Sequence, residues 1–177
     1  LVVAMMASFA VSAGAASFTD NDKIVYDNAV KLLSDLDVIN GFTDGSFNPE
    51  GNVTRAQTAK MIAYIMNGGE DASSTFAASV KFSDEANGYW AANSIGYCAT
   101  KEIVAGAGNN LYYPNNDVTG VQLAKMALVA LGYDPTIEGL TGAAWAINTI
   151  DLAEDAGLLD GMDKNFNAAA AASRQEA

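Results

Sequence analysis

Residues 41–61 read GFTDGSFNPEGNVTRAQTAKM, and residues 106–126 read GAGNNLYYPNNDVTGVQLAKM. Laid over one another, Gly41 and Gly106, Phe47 and Tyr112, Pro49 and Pro114, and Thr54 and Thr119 are each 65 positions apart. One offset carries the whole block, so the chain holds an internal repeat. A third copy follows at a shorter spacing: Gly161 lies 55 positions after Gly106, and Phe166 and Ser173 lie 54 after Tyr112 and Thr119.

Each block ends on a helix start. Thr54-x-x-Gln57, Thr119-x-x-Gln122 and Ser173-x-x-Glu176 are capping boxes, in which the hydroxyl accepts from the amide three residues on and the Gln or Glu reaches back. The helices they open carry Met61, Ile62 and Ile65 in the first copy and Leu123, Ala124, Ala127, Leu128 and Leu131 in the second. Upstream of each block lies another helical stripe: Val25, Tyr26, Ala29, Val30, Leu33 and Leu36, then Trp90, Ala91, Ser94, Ile95 and Cys98, then Trp145, Ala146, Thr149, Ile150 and Ala153. These read as core positions, Val25 and Ile95 included. Trp90 and Trp145, at the head of the stripe, are open between packing and a ligand platform. Each stripe runs through an apolar pair into Gly41, Gly106 or Gly161, where glycine suits a helix exit through positive φ or a close backbone approach. Helices are predicted over 23–38, 54–66, 88–103, 119–131 and 144–157. A lone helix pair buries too little, so the three units are expected to pack about a shared core, giving a mainly all-α fold.

Composition narrows the function. The chain has 177 residues, half of them hydrophobic, which is enough for a core. Nine Lys and Arg against 21 Asp and Glu give a formal charge of −12, so the mean field repels nucleic acid and anionic membranes, and an anionic ligand needs a local cationic patch. There is no histidine, which removes the usual base of Ser and Cys hydrolases and the commonest zinc ligand. Neither metal nor cofactor is expected. Cys98 falls in an apolar helical pattern and reads as a small buried hydrophobe. Residues 1–15 read as a signal peptide lacking its basic n-region, with Ala13-Gly14-Ala15 as the cleavage pattern; this implies export, with no membrane insertion after cleavage. The organisation expected is repeat 1 at 16–66, a linker at 67–81, repeat 2 at 82–131, a linker at 132–139, and repeat 3 at 140–177. The last is read as truncated a turn after its capping box.

The residues then resemble a known family. Phe18-Thr19-Asp20, Gly41, Asp44-Gly45-Ser46-Phe47-Asn48-Pro49 and Thr54-Arg55-Ala56-Gln57 are similar to the F-x-D, Gly, D-G-x-F-x-P and T-R-A-E elements of S-layer homology (SLH) repeats. Phe82-Ser83-Asp84, Trp90, Gly106, Tyr112-Tyr113-Pro114 and Thr119-Gly120-Val121-Gln122 form the second copy, and Trp145, Gly161, Phe166 and Ser173-Arg174-Gln175-Glu176 the third. The resemblance implies three repeats packed as a pseudo-threefold helical spindle. It implies a non-catalytic anchor that holds a secondary cell-wall polysaccharide, anionic and pyruvylated, in grooves between repeats at the bacterial surface. Self-assembly would run through regions beyond residue 177.

Carried over residue by residue, the resemblance points to Arg55, Arg174, Gly41, Gly106, Asp20, Asp84 and Trp90 as polysaccharide-binding residues. An arginine at a capped helix start offers a fork of donors beside the positive end of the helix dipole. On the residues alone, Arg55 also reads as a solvated charge, and Asp20 and Asp84 also read as N-caps. Gly120 stands where the arginine is expected in the second copy, which marks one groove as weak; Gly120→Arg is expected to strengthen binding provided the groove keeps its shape. Two other classes compete. A calcium loop in DGSFNPEGN places Pro49 and Arg55 where an EF-hand needs Gly and Glu. A glycosidase reading rests on Glu154 and Asp155, adjacent residues that face different ways.

Overall fold

A computed structural model describes residues 17–76, 81–85 and 88–177; the expected signal peptide and part of the first linker lie outside the described residues. The described residues are helical: α1 (Asp27–Asp35), α2 (Arg55–Met66), α3 (Ala72–Thr75), α4 (Ala92–Thr100), α5 (Gly120–Ala130) and α6 (Trp145–Asp155), with a 3-10 turn at Asn21–Lys23. The predicted helices are all present, each shorter than the range predicted for it.

The shortening at the C-terminal ends has one cause repeated. The amide of Val38 donates to the Leu33 carbonyl, Ile103 to Cys98 and Leu158 to Ala153, the long bond of a Schellman motif. The left-handed residue that motif needs is Asp37 (φ 58°), Glu102 (φ 59°) and Gly157 (φ 72°). The helix therefore turns four residues before Gly41, Gly106 and Gly161, and of the two roles expected of these glycines Gly41 and Gly106 serve the close approach.

Two of the three capping boxes form in full. Thr54 accepts from the Gln57 amide while the Gln57 side chain accepts from the Thr54 amide, and Thr119 and Gln122 do the same. In the third, the Ser173 amide donates to Glu176 Oε2 at 2.8 Å.

Packing crosses the repeat boundaries. α2 lies chiefly on α4, and α5 on α6, so the closing helix of one repeat meets the opening helix of the next. The contact face of α2 is Ala56, Thr58, Ala59 and Ala63, all buried. Small side chains let α4 come close, and Cys98 of α4 is fully buried with its thiol donating to the Ala59 carbonyl at 3.4 Å. Burial pushes that thiol up to about 12, the behaviour expected of an inert core cysteine. Ile95 is fully buried as expected. Five expected core residues are exposed instead: Val25 (66%), Ala29, Leu36 (40%), Ile65 (53%) and Leu131 (64%). Ile65 sits opposite the alanine face, Leu36 and Leu131 follow the last residue of their helices, and Val25 precedes α1.

The pseudo-threefold axis is a closed ring of three backbone hydrogen bonds. The Val53 amide donates to the Ala172 carbonyl (3.1 Å), Ala172 to Val118 (2.8 Å), and Val118 back to Val53 (3.0 Å). Each is the residue just before a capping-box hydroxyl, and all three are buried. The helix starts are tied in the opposite sense. Arg55 and Ala56 amides donate to Asn116 and Pro114 carbonyls, Gly120 and Val121 to Ala170 and Ala168, and Arg174 and Gln175 to Gly51 and Pro49. The first two amides of every capped helix are thus satisfied by the loop of the neighbouring repeat. Repeat 1 closes the circle: its Val25 amide donates to Gln175 Oε1 at 2.7 Å, and its Tyr26 hydroxyl accepts from the Asp163 amide at 2.9 Å.

Candidate functional site

The two arginines lie where the repeats meet. Arg55 donates through Nε to the Tyr112 carbonyl (2.9 Å) and through Nη2 to the Ala105 carbonyl (3.0 Å), with its guanidinium 4.4 Å from the Tyr112 ring centre. Arg174 repeats the geometry: Nε to the Phe47 carbonyl (2.7 Å), Nη2 to the Asn40 carbonyl (3.0 Å), and the guanidinium 4.7 Å from the Phe47 ring. Each arginine staples its own helix to the next repeat's loop. These bonds use two of five N–H donors, and each guanidinium also lines a groove. Partial burial lowers the proton affinity of Arg174, while Asp20 opposes this.

Asp20 and Asp84 are not the N-caps that the residues alone suggested. Asp20 accepts from the Phe47 and Asn48 amides, both at 2.8 Å, and Asp84 from the Tyr112 and Tyr113 amides at 2.9 and 2.6 Å. They clamp the F-x-P loop of their own repeat, and Asp20 makes no side-chain cap on the turn that follows. The clamp holds Asn48 and Tyr113 in the left-handed region (φ 57° and 56°), a costly place for tyrosine. The Phe47 amide, against partial burial and with the Asn48 amide, holds the Asp20 carboxyl below its ordinary value. For Asp84 burial pushes upward, and the two tyrosine amides with Arg55 outweigh it.

Gly41 and Gly106 are exposed but their Cα faces are covered. A Cβ on Gly41 would lie 2.7 Å from the Phe18 ring and 2.9 Å from the Ser46 carbonyl; on Gly106 it would lie 2.7 Å from the Phe82 ring and 3.0 Å from the Leu111 carbonyl. The phenylalanine of F-x-D fills that space and stacks on the loop aromatic, Phe18 on Phe47 and Phe82 on Tyr112. The glycines serve this packing.

Two grooves of like composition result. The first is lined by Arg174 from repeat 3, Val38, Ile39 and Asn40 with Gln57, Lys60 and Met61 from repeat 1, and Trp90 from repeat 2. The second, about 340 Å³, is lined by Arg55, by Ile103, Val104 and Ala105 with Gln122, Lys125 and Met126, and by Trp145 of the next repeat. Lys60 Nζ lies 5.7 Å from the Trp90 ring centre and Lys125 Nζ 5.5 Å from that of Trp145. Desolvation lowers the proton affinity of Lys125. These lysines and Gln57 and Gln122 were missed as site residues. The signal was present: A-K-M recurs at the same offset of 65 in the opening block.

The third junction differs at each of these places. Gly120 replaces the arginine, Asp160 stands where Asn40 and Ala105 do, Glu176 replaces the glutamine, and Val25 replaces the tryptophan. A Cβ on Gly120 would lie 2.7 Å from the Phe166 ring and 2.9 Å from Ala168 Cα, so an arginine there displaces the loop, contrary to the expected gain. In the stretch read as a calcium loop, Asp44 is turned onto the Ser46 amide and hydroxyl, and among the described residues no three His, Cys, Asp or Glu gather as metal ligands. Glu154 and Asp155, the carboxylates of the glycosidase reading, are exposed at the end of α6.

A family model described as the S-layer homology domain matches residues 17–59, 81–124 and 141–177. The exoglucanase XynX of Acetivibrio thermocellus is 30% identical over 177 residues, covering 91% of this chain and 16% of that protein. The middle cell wall protein of Brevibacillus brevis is 27% identical over 169 residues, 96% of this chain and 16% of that protein. The cellulosome-anchoring protein of Acetivibrio thermocellus is 28% identical over 88 residues, 50% of this chain and 20% of that protein. The chain spans a fifth or less of the length of these relatives. Three family matches, in register with three repeats closed by a ring of backbone bonds, make this chain a member of the S-layer homology family, whose domains anchor proteins to the cell wall at the bacterial surface.

Proposed function

We propose that the chain is a non-catalytic anchor that holds an anionic secondary cell-wall polysaccharide, bearing a pyruvylated sugar, in the two grooves headed by Arg55 and Arg174. The observation that carries this reading is the duplication of one side-chain set, Arg, Gln, Lys and Trp, at two junctions and its replacement by Gly, Glu and Val at the third. A ketal-linked carboxylate is a planar anion suited to a guanidinium and an ammonium, and a sugar's C–H face stacks on an indole. In a chain of formal charge −12, the cations at these junctions provide the local patch that such a ligand needs. The helix dipole contributes less than the sequence suggested, because the leading amides of α2 and α5 are already bonded to neighbouring loops.

The test is sedimentation with purified cell-wall sacculi before and after chemical removal of the secondary polysaccharide. Binding is expected to vanish on stripping, and Lys125→Ala is expected to weaken it by about 1.5 kcal/mol, the scale of one charged hydrogen bond. Binding that survives stripping assigns the anchor to peptidoglycan. Release of reducing sugar from the wall by the chain overturns the non-catalytic reading.

A further inference from the structure

The two grooves match in side chains but not in charge. In the first, Lys60 Nζ sits 3.3 Å from Asp71 Oδ2, an ion pair. In the second, Lys125 makes no ion pair among the described residues. The pair is not a chance meeting of two long side chains. Asp71 is the N-cap of α3, and its other oxygen, Oδ1, accepts from the Ser73 amide (2.9 Å) and hydroxyl (2.6 Å). Two hydrogen bonds to Ser73 thus fix a short side chain with its other oxygen on the lysine that lines the groove. The turn after α5 has an aspartate too, but Asp134 is spent on the Thr136 and Ile137 amides.

We infer that Asp71 is a specificity-determining residue that makes the Trp90 groove the weaker of the two for an anionic sugar, and that the Trp145 groove is filled first. This rests on the groove reading above. A carboxylate ligand in the Trp90 groove competes with Asp71 for Lys60 and is repelled by its charge beyond the lysine; in the Trp145 groove it meets a cation with no such rival among the described residues. An uncharged sugar feels neither effect and distinguishes the grooves less.

The chain supplies its own reporters, because its two tryptophans lie one in each groove. The experiment follows the two indole N–H resonances by NMR while the whole chain is titrated at low salt with a hexoside carrying a pyruvate ketal, and then with its methyl ester. The Trp145 signal is expected to reach its midpoint at about threefold lower ketal concentration than Trp90, the size of effect a partly exposed ion pair supports. Asp71→Asn keeps a capping oxygen for Ser73 and is expected to bring the Trp90 midpoint down to that of Trp145, with Trp145 unmoved; Asp71→Ser, also a competent cap, gives the same result by a second route. With the ester the gap between the midpoints is expected to close. Equal midpoints in the parent chain, an unchanged Trp90 midpoint in both variants, or a gap that persists with the ester each overturns the role of Asp71. If neither indole responds to the ketal at any concentration, the groove reading itself fails and takes this inference with it.

Discussion

A single carboxylate decides the shape of each loop that carries an aromatic and a proline. Asp84 accepts two amides and thereby holds Tyr113 at φ 56°; where the third repeat has no such aspartate, Asn167 has no positive φ. Removing the clamp leaves two amides without their partner and a strained tyrosine unsupported. Asp84→Ala is expected to destabilise the fold by roughly 2–3 kcal/mol, read from urea unfolding, because two charge-assisted bonds are lost together. The pH dependence has a definite sign. The carboxyls of Asp20 and Asp84 lie below their ordinary value in the folded chain, so their stabilisation is complete above about pH 3.9, the unfolded value, and is lost as pH falls through the folded ones. An acid titration of the melting temperature is expected to be less steep in Asp84→Ala than in the parent chain.

At the scale of the element, the helix that opens each repeat has the same ending with different chemistry. The left-handed residue is Asp37, Glu102 and Gly157. Only glycine adopts that conformation without a Cβ penalty, and the cost for other residues is roughly 1 kcal/mol. Glu102→Gly is expected to stabilise the chain by a little under that amount, since glycine also gains freedom in the unfolded state. Thermal unfolding by circular dichroism measures it, and a lower melting temperature would mean that the Glu102 side chain makes a contact worth more than the strain. The α2 face teaches a related lesson. Its helical periodicity is visible, but its buried side is alanine and threonine, so ranking positions by hydrophobicity placed Ile65 inside when the close approach of α4 excludes large residues.

For the whole molecule, the junctions between repeats hold the fold together. Arg55 and Arg174 tie repeats together through carbonyls 50 and 134 residues away, while Gly120 admits the Phe166 ring where the third arginine would stand. Gly120→Arg is therefore expected to destabilise the chain by about 1–3 kcal/mol, as an overpacked junction does, and to add no polysaccharide binding. Urea unfolding together with sedimentation on sacculi checks both halves; a variant as stable as the parent that binds more tightly would show that the Phe166 loop yields readily.

The sequence by itself determined the threefold repetition, the helix pairs and their capped starts. Those signals act within a few residues: a hydroxyl three positions before a Gln, or an apolar stripe at helical spacing. Arg55 and Arg174 stood out only through the family resemblance, since the second copy has Gly120 at that offset and spacing alone left Arg55 readable as a solvated charge. Only the tertiary structure decided what they touch. The partners of Asp20, the aromatic under each arginine, the lysine beside each tryptophan and the meeting of Lys60 with Asp71 all depend on which repeat packs against which, and in what sense the ring of Val53, Val118 and Ala172 closes. Hydrogen bonds and ion pairs act over a few ångströms between atoms, whatever their separation along the chain, so local pattern names the parts and the closure of the ring assigns their partners.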